Sequence, residues 1–364
     1  MKIIMILTNG FSPDLRVYKE AKYIAEKGNE VEILCWDREN AFIAKPIEKL
    51  GKIKVVRFFG KSKYGSGIKQ IFKLLHFKDE CRKYLKSNKI NYDYIHCHDL
   101  DGMLVGYLLH KRKEKMIFDM HEFYNSGSYA KIYFLIKILI NFLQDKSYKI
   151  IHVNNKQVEN MKESNKQKLI YLPNYPELSK FEKVKHIEDE KLRVTYAGYV
   201  RHWVPMSNLI KAGMNIENVK ISIHGSGEAL NKLIELSRNS ENIEITGAYT
   251  HEQILDFYAE SDVVYIVYNQ GNLNDENALP TKFFEAIITG NPVIVSKNSL
   301  LEKKVNEYDI GFSVDGTDIE DIKQLLVKIR DNKDLIDEKR KSIEKIKNKF
   351  IWEDVVKNLD NIYK

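Results

Sequence analysis

The sequence predicts two consecutive α/β domains, each built on a parallel sheet covered by helices. Three observations carry that expectation. Short β-branched runs alternate with longer helical patterns along nearly the whole chain. The alternation stops once, at Pro173-Asn174-Tyr175-Pro176, and then restarts. With 364 residues the chain is too long for one ordinary core and comfortable for two.

In the first domain, 1–176, strands are expected at Lys2–Leu7, Val31–Cys35, Lys54–Phe58, Tyr94–Cys97, Met116–Asp119 and Lys149–Val153. A helix over Asp14–Lys27 puts Val17, Ala21, Ile24 and Ala25 on one face, with Gly28 just past its end. Further helices fall at Ile68–Ser87, Met103–Arg112 and Ile132–Leu143. The charged, core-poor stretch 177–191 reads as a linker.

The second domain, 192–345, restarts with a strand at Arg193–Ala197 and a helix at Met206–Gly213. Strands follow at Val219–His224, Ile243–Thr246, Val263–Val267, Val293–Ser296 and Gly311–Val314. Helices are expected at Ser226–Ser237, Thr250–Ala259, Thr281–Thr289 and Asp318–Arg330. A C-terminal helix within 346–364 carries Trp352 and is expected to pack back toward the first domain. Sheets of this kind bind ligands at the C-terminal ends of their strands. Two of them facing each other would leave a crevice suited to a small molecule.

The net charge of +7 is unevenly spread. Residues 1–176 hold 32 Lys and Arg against 19 Asp and Glu, and the remainder holds 26 against 32. A basic half suits an anionic membrane or phosphorylated carrier, or is an ordinary solvated surface. The helices at Ile68–Lys89 and Tyr129–Lys149 mix lysines with apolar residues, as helices that lie on anionic lipid do and as core helices also do. No leader sequence and no apolar run of about 20 residues is visible. Cys35, Cys81 and Cys97 have no metal-binding spacing and read as free thiols in a reducing cytoplasm. The expected location is cytoplasmic, with peripheral attachment at the inner face of the plasma membrane. No nucleic-acid partner and no cofactor are expected.

The segment Asn277-Ala278-Leu279-Pro280-Thr281-Lys282-Phe283-Phe284-Glu285-Ala286, followed by Gly290-Asn291-Pro292-Val293-Ile294, is the most informative. It reads as a loop entering a helix, with Pro280 pre-setting the entry and Thr281 as N-cap. Free amides at such a start favour phosphate, and Lys282 adds charge. Glu285, a turn further on, can accept both hydroxyls of a ribose. A surface helix with an ordinary Glu and Lys is the plainer alternative. Asn9-Gly10-Phe11-Ser12-Pro13 lacks the glycine spacing of a dinucleotide fingerprint, which argues against a dehydrogenase. Asp99-Leu100-Asp101 mimics a metal-binding D-x-D but, at a strand-to-helix turn, reads as an N-cap pair, so no metal is expected.

The segment resembles the signature of family 4 glycosyltransferases, a retaining family of GT-B fold whose two Rossmann-like domains face each other across a cleft. Other stretches resemble the same family: Asp14-Leu15-Arg16-Val17 with Glu20-Ala21, His96-Cys97-His98-Asp99-Leu100-Asp101, Phe118-Asp119-Met120-His121-Glu122, Tyr171-Leu172-Pro173-Asn174, and Tyr196-Ala197-Gly198-Tyr199-Val200-Arg201. The resemblance implies transfer of a sugar from a UDP- or GDP-linked donor to a glycan or lipid-linked acceptor, in bacterial capsule or cell-envelope synthesis. It places Glu285 on the ribose, His121 beside the reacting carbon, and Arg201 on the diphosphate, with Lys282 as the second cation. Gly225 and Gly227 would lie beneath the nucleotide, Tyr249 beside the base, and Thr281, Gly10 and Arg16 with the donor. His98, Asp99 and Glu122 belong to the acceptor side. Asn277 stands where the family usually carries a second Glu on the donor sugar. That departure keeps open a non-catalytic nucleotide-sugar-binding partner of another transferase, and the shared fold keeps open a nucleotide-sugar epimerase.

Overall fold

The computed structural model describes residues 1–12, 14–62, 68–110, 115–124, 133–181, 184–187, 189–250, 252–271 and 273–363, with only the backbone at 68 and 69. The chain divides into two compact units, Met1–Pro173 with Val355–Lys364, and Asn174–Asp354.

The first unit runs β1 (Lys2–Leu7), α1 (Leu15–Glu26), β2 (Glu30–Asp37), β3 (Ile47–Leu50), β4 (Ile53–Phe59), α2 (Ile68–Ser87), β5 (Tyr94–His98), α3 (Asp99–Leu109), β6 (Met116–Met120), α4 (Tyr133–Lys146), β7 (Lys149–His152), α5 (Glu163–Lys166) and β8 (Leu169–Tyr171). Its sheet has the order β3-β4-β2-β1-β5-β6-β7-β8, parallel except for β3 against β4. β1, β5 and β6 are buried along almost their whole length because helices cover both faces. The sequence reading lacks β3 and β8. β3 is an exposed antiparallel edge, and β8 is three residues long, so neither carries a buried β-branched run.

The second unit runs β9 (Leu192–Ala197), α6 (Trp203–Gly213), β10 (Val219–His224), α7 (Leu230–Ser237), β11 (Ile243–Thr246), α8 (Gln253–Ala259), β12 (Val263–Ile266), α9 (Leu273–Glu276), α10 (Thr281–Ile288), β13 (Val293–Ser296), α11 (Leu300–Tyr308), β14 (Gly311–Val314), α12 (Ile319–Asp331), α13 (Asp334–Glu344) and α14 (Trp352–Val355), which ends one residue past the division. Its six strands are all parallel, in the order β11-β10-β9-β12-β13-β14.

The stretch 177–191, expected as a linker, lies within the second unit. Phe181 in it is buried with its ring edge toward Tyr258, 6.2 Å away. The expected C-terminal helix is instead the short α14 followed by a 3-10 turn over Val356–Asn361. That turn belongs to the first unit, where Asn358 donates to the Tyr171 carbonyl and Tyr23 to Asp360. Among the described residues, no helix is long and apolar enough to cross a membrane.

Both basic helices of the first unit are two-faced. On α2, Leu74, Phe77 and Cys81 are buried while Ile71, Phe72 and Leu75 are exposed. On α4, Leu143 is buried while Phe134, Leu135 and Ile138 face solvent.

Candidate functional site

In the first unit the chemistry-bearing residues gather at the C-terminal ends of β1, β5 and β6. Asp14 caps α1, accepting from the Val17 amide, and so sets where the first turn points. Arg16 in that turn then reaches three partners. It pairs with Asp119 Oδ1 and Glu20 Oε1, both at 3.0 Å, and donates to the Leu172 carbonyl at 2.8 Å. Asp119 faces His98 across the β5–β6 register. Its Oδ2 lies 2.9 Å from His121 Nε2 and 3.2 Å from His98 Nδ1. His121 Nδ1 sits 3.3 Å from Asp99 Oδ2, so two carboxylates flank one imidazole.

Burial opposes charge here and is outweighed where partners are close. His121 is held well above its ordinary value: burial lowers it, but Asp119 and Asp99 raise it more. Asp119 stays well below the usual carboxylate range because Arg16 and His121 overcome the cost of burial. Glu20 goes the other way. Burial first, and Asp119 next, push it up to about 8. Burial and neighbouring His98 push His96 down to about 4. His96 Nδ1 also meets the Tyr363 hydroxyl at 2.7 Å.

A titration follows from these signs. Between pH 6.5 and about 8 the folded chain keeps protons on Glu20 and His121 that the unfolded chain has released, so stability falls as pH rises. Glu20→Gln will leave a shallower slope in that window, measured by denaturant unfolding. An unchanged slope would mean that Glu20 is ionised in the folded chain.

Asp99 differs from its expected role as an N-cap. It is the first residue of α3 with a left-handed φ of 59°, and His98 holds the cap position. Its Oδ1 accepts from the His121 amide and the Tyr124 hydroxyl, so it ties down the His121 loop instead. Glu122 is exposed beside this network, and its carbonyl accepts from Gln157. Gly10 stands apart from it, against Asp37: a Cβ there would lie 3.1 Å from that carboxylate.

Among the described residues, Glu20, His96, His98 and Asp119 are the group able to share a metal ion, with ligating atoms all within 4.8 Å of one another. Arg16 already supplies a positive charge to both carboxylates, so the chain provides its own counter-cation there.

In the second unit the site grows from three loops at the C-terminal ends of β9, β10 and β12, together with the start of α10. The glycines are required by close backbone approach. A Cβ on Gly225, at φ 141°, would lie 1.8 Å from the Gly198 carbonyl oxygen, and one on Gly227 2.3 Å from that of Val200. Gly198 in turn leaves room for Lys282, whose Nζ would be 2.6 Å from a Cβ there. Lys282 Nζ stands 3.8 Å from the centre of the Tyr196 ring. Burial pushes it down to about 7, although Glu285 pulls the other way.

Glu285 is buried one turn into α10, and its Oε2 accepts from the Tyr258 hydroxyl at 2.9 Å. Tyr249 meets Phe257 edge-on, and Phe257 stacks flat on His224 at 3.6 Å, which makes an aromatic wall after β10 and β11. Arg201 is exposed beyond β9 with Tyr199 beside it. Asn277 donates to the Leu273 carbonyl at 2.8 Å.

Thr281 is not the N-cap of α10. Pro280 takes that place with extended backbone, and Thr281 is the exposed first helical residue. Sequence reasoning missed Tyr258, and it quoted Tyr196 and Asp119 within resembling stretches without giving either a role in the site. Asp119 did leave a signal, as a carboxylate inside an otherwise apolar strand.

The family described as Glycosyl transferases group 1 matches residues 179–350. No curated protein sequence matches the chain. Sucrose-phosphate synthase from Thermosynechococcus elongatus superposes with a TM-score of 0.76 at 14% identity, over 100% of this chain and 98% of the other. HepE from Anabaena, in complex with UDP and glucose, gives 0.70 at 12% identity over 100% and 98%. The catalytic domain of starch synthase IV from Arabidopsis thaliana, bound to ADP and acarbose, gives 0.67 at 13% identity over 100% and 98%. Residues 179–350 are therefore a glycosyl transferases group 1 domain, in a chain whose two α/β units match GT-B glycosyltransferase structures.

Proposed function

We propose that this protein is a retaining glycosyltransferase that moves a sugar from a nucleoside-diphosphate sugar onto a glycan or lipid-linked glycan, in capsule or cell-envelope synthesis. The observation that carries the reading is the start of α10. There Glu285, oriented by Tyr258, and Lys282, stacked on Tyr196, lie beside glycine turns whose backbones pack directly on one another. Glu285 takes the ribose hydroxyls, the Tyr249 wall takes the base, and Lys282 with Arg201 takes the diphosphate. Solved structures of similar fold hold UDP or ADP, so the nucleobase is left to experiment.

The glycosyl–phosphate bond breaks with oxocarbenium character. Lys282 and Arg201 stabilise the charge gathering on the leaving diphosphate. The acceptor hydroxyl attacks from the same face, its oxygen bonding to the anomeric carbon while its proton passes to a leaving phosphate oxygen. His121, held as an imidazolium, serves as a fixed donor toward the sugar. The exposed apolar residues of α2 and α4, set among lysines, support an acceptor presented at an anionic membrane.

Thermal-shift screening of nucleoside diphosphates should identify the base through a raised melting temperature. With the donor known, Glu285→Ala is expected to raise donor KM at least tenfold, and Arg201→Ala chiefly to lower kcat. Wild-type kinetics in both variants would overturn the site. Asn277, turned onto its own loop, motivates one competing reading, a nucleotide-sugar binder without turnover. Calorimetric binding with no product from any acceptor would favour it.

A further inference from the structure

The ends of β2 and β4 and the first turns of α2 enclose an apolar cavity of about 390 Å³ in the first unit. Its size falls within the roughly 300–1,000 Å³ typical of ligand pockets. Trp36 and Phe77 are buried walls of it, their rings stacked at 5.9 Å, and Phe58 meets Phe77 edge-on. Phe72 also lines it and is 69% exposed. So much uncovered aromatic surface beside an aromatic-walled hollow is costly in water and suits an apolar occupant.

The other lining residues state the charge of that occupant. Lys61, Lys73 and His76 are exposed and basic, and Glu80 is the acid among the lining residues. Lys73 donates to the Lys61 carbonyl, which holds the two lysines side by side. Ile71 and Leu75 extend the apolar surface along the solvent face of α2.

A second hollow of about 290 Å³ in the same unit is lined by Gly10, Asp37 and Arg38. Its Arg38 guanidinium lies 4.4 Å over the ring of Trp36, which lines the aromatic cavity. Asp101 fixes Arg38 at 2.9 Å.

We propose that the cavity between β4 and α2 holds the hydrocarbon chain of a single phosphate-headed lipid, with the phosphate on Lys61 and Lys73. This deepens the acceptor half of the function proposed above and rests on it for its biological role. Its binding test, however, needs no sugar transfer, so the two can fail separately.

The full chain is titrated with a monomeric alkyl phosphate brominated along its chain, below the concentration at which it forms micelles. Bromine quenches tryptophan on contact. The tryptophans are Trp36, Trp203 and Trp352, and Trp36 alone lines the cavity. Saturable quenching is expected, lost in Trp36→Phe. The brominated alcohol of equal length should bind at least tenfold more weakly. Phe72→Asp and the double variant Lys61→Ala/Lys73→Ala change exposed side chains, so they keep the fold, and each should weaken binding at least tenfold. The proposal is overturned if the monomeric phosphate gives no saturable quenching, if Trp36→Phe quenches as wild type does, or if both mouth variants bind as wild type does. Quenching by brominated anionic vesicles but not by the monomer also overturns it, in favour of surface docking alone.

Discussion

Arg16→Leu is expected to remove about 3–5 kcal/mol of stability, the size of effect seen when one member of a buried ion pair is deleted. The guanidinium is almost fully buried and serves two carboxylates, Asp119 and Glu20, that have no exposure of their own. Leucine fills part of the space and leaves both acids without the guanidinium. Asp119 keeps His121 but loses its guanidinium, and Glu20, already protonated below about 8, is left a buried polar group without Arg16 beside it. The Leu172 carbonyl also loses its Arg16 donor, next to Pro173, where the chain leaves the first unit. Denaturant unfolding is the measurement, read on the transition of the first unit, because two units need not unfold together. The double variant Arg16→Leu/Glu20→Leu should recover part of the loss, since it removes the unpaired acid as well. Breaking an exposed pair such as Lys83–Glu80, which water screens, should cost almost nothing and serves as the control. A loss of that size for Arg16→Leu would show that the pairing does not hold the first unit together.

The same contrast between local and distant partners explains what the sequence made legible. Every strand of the second sheet was readable, because each is a short run between turn signals, and β9, β12 and β13 are β-branched-rich and buried along their whole length. α10 was readable for the same reason, its Pro280 entry and its Lys282 and Glu285 being adjacent in the chain. What orients those groups was not. Tyr258 binds Glu285 from 27 residues away, and Arg16 meets Asp119 from 103 residues away. Nothing in the local pattern distinguishes Tyr258 from any other aromatic on the inner face of a helix. The 177–191 stretch looked core-poor because, among its described residues, Phe181 alone is buried. Asp99 and Thr281 sat at helix starts and were assigned as caps, yet each cap position fell one residue earlier, at His98 and Pro280. Boundaries of that kind depend on a single backbone angle that composition does not set.

Lys282→Met is expected to lower kcat by about 10²–10³, the loss typical when one preorganised donor to developing charge is removed. It should at the same time raise the melting temperature of the ligand-free protein. The two effects have one cause. Burial depresses Lys282 to about 7, so at neutral pH the folded chain bears the cost of a lysine that the unfolded chain keeps charged in water. The sign follows from proton counts. Between about 7 and the ordinary 10.5 the unfolded state binds the extra proton, so the depressed pKa makes stability rise with pH across that window, and methionine removes the slope. A bound diphosphate reverses the balance, because it favours the ammonium. Affinity for a nucleoside diphosphate should therefore fall as pH rises above about 7, since binding must then bring a proton with it. Calorimetry in buffers of different ionisation enthalpy would register that proton uptake in the wild type and its absence in Lys282→Met. Lys282→Arg keeps the charge but not the fit over Tyr196 beside Gly198, so it should restore the flat pH dependence of a permanent cation with only part of the rate. Proton uptake unchanged by Lys282→Met would mean that another group meets the phosphates, and a lowered melting temperature would mean that the lysine stabilises the empty site instead of straining it.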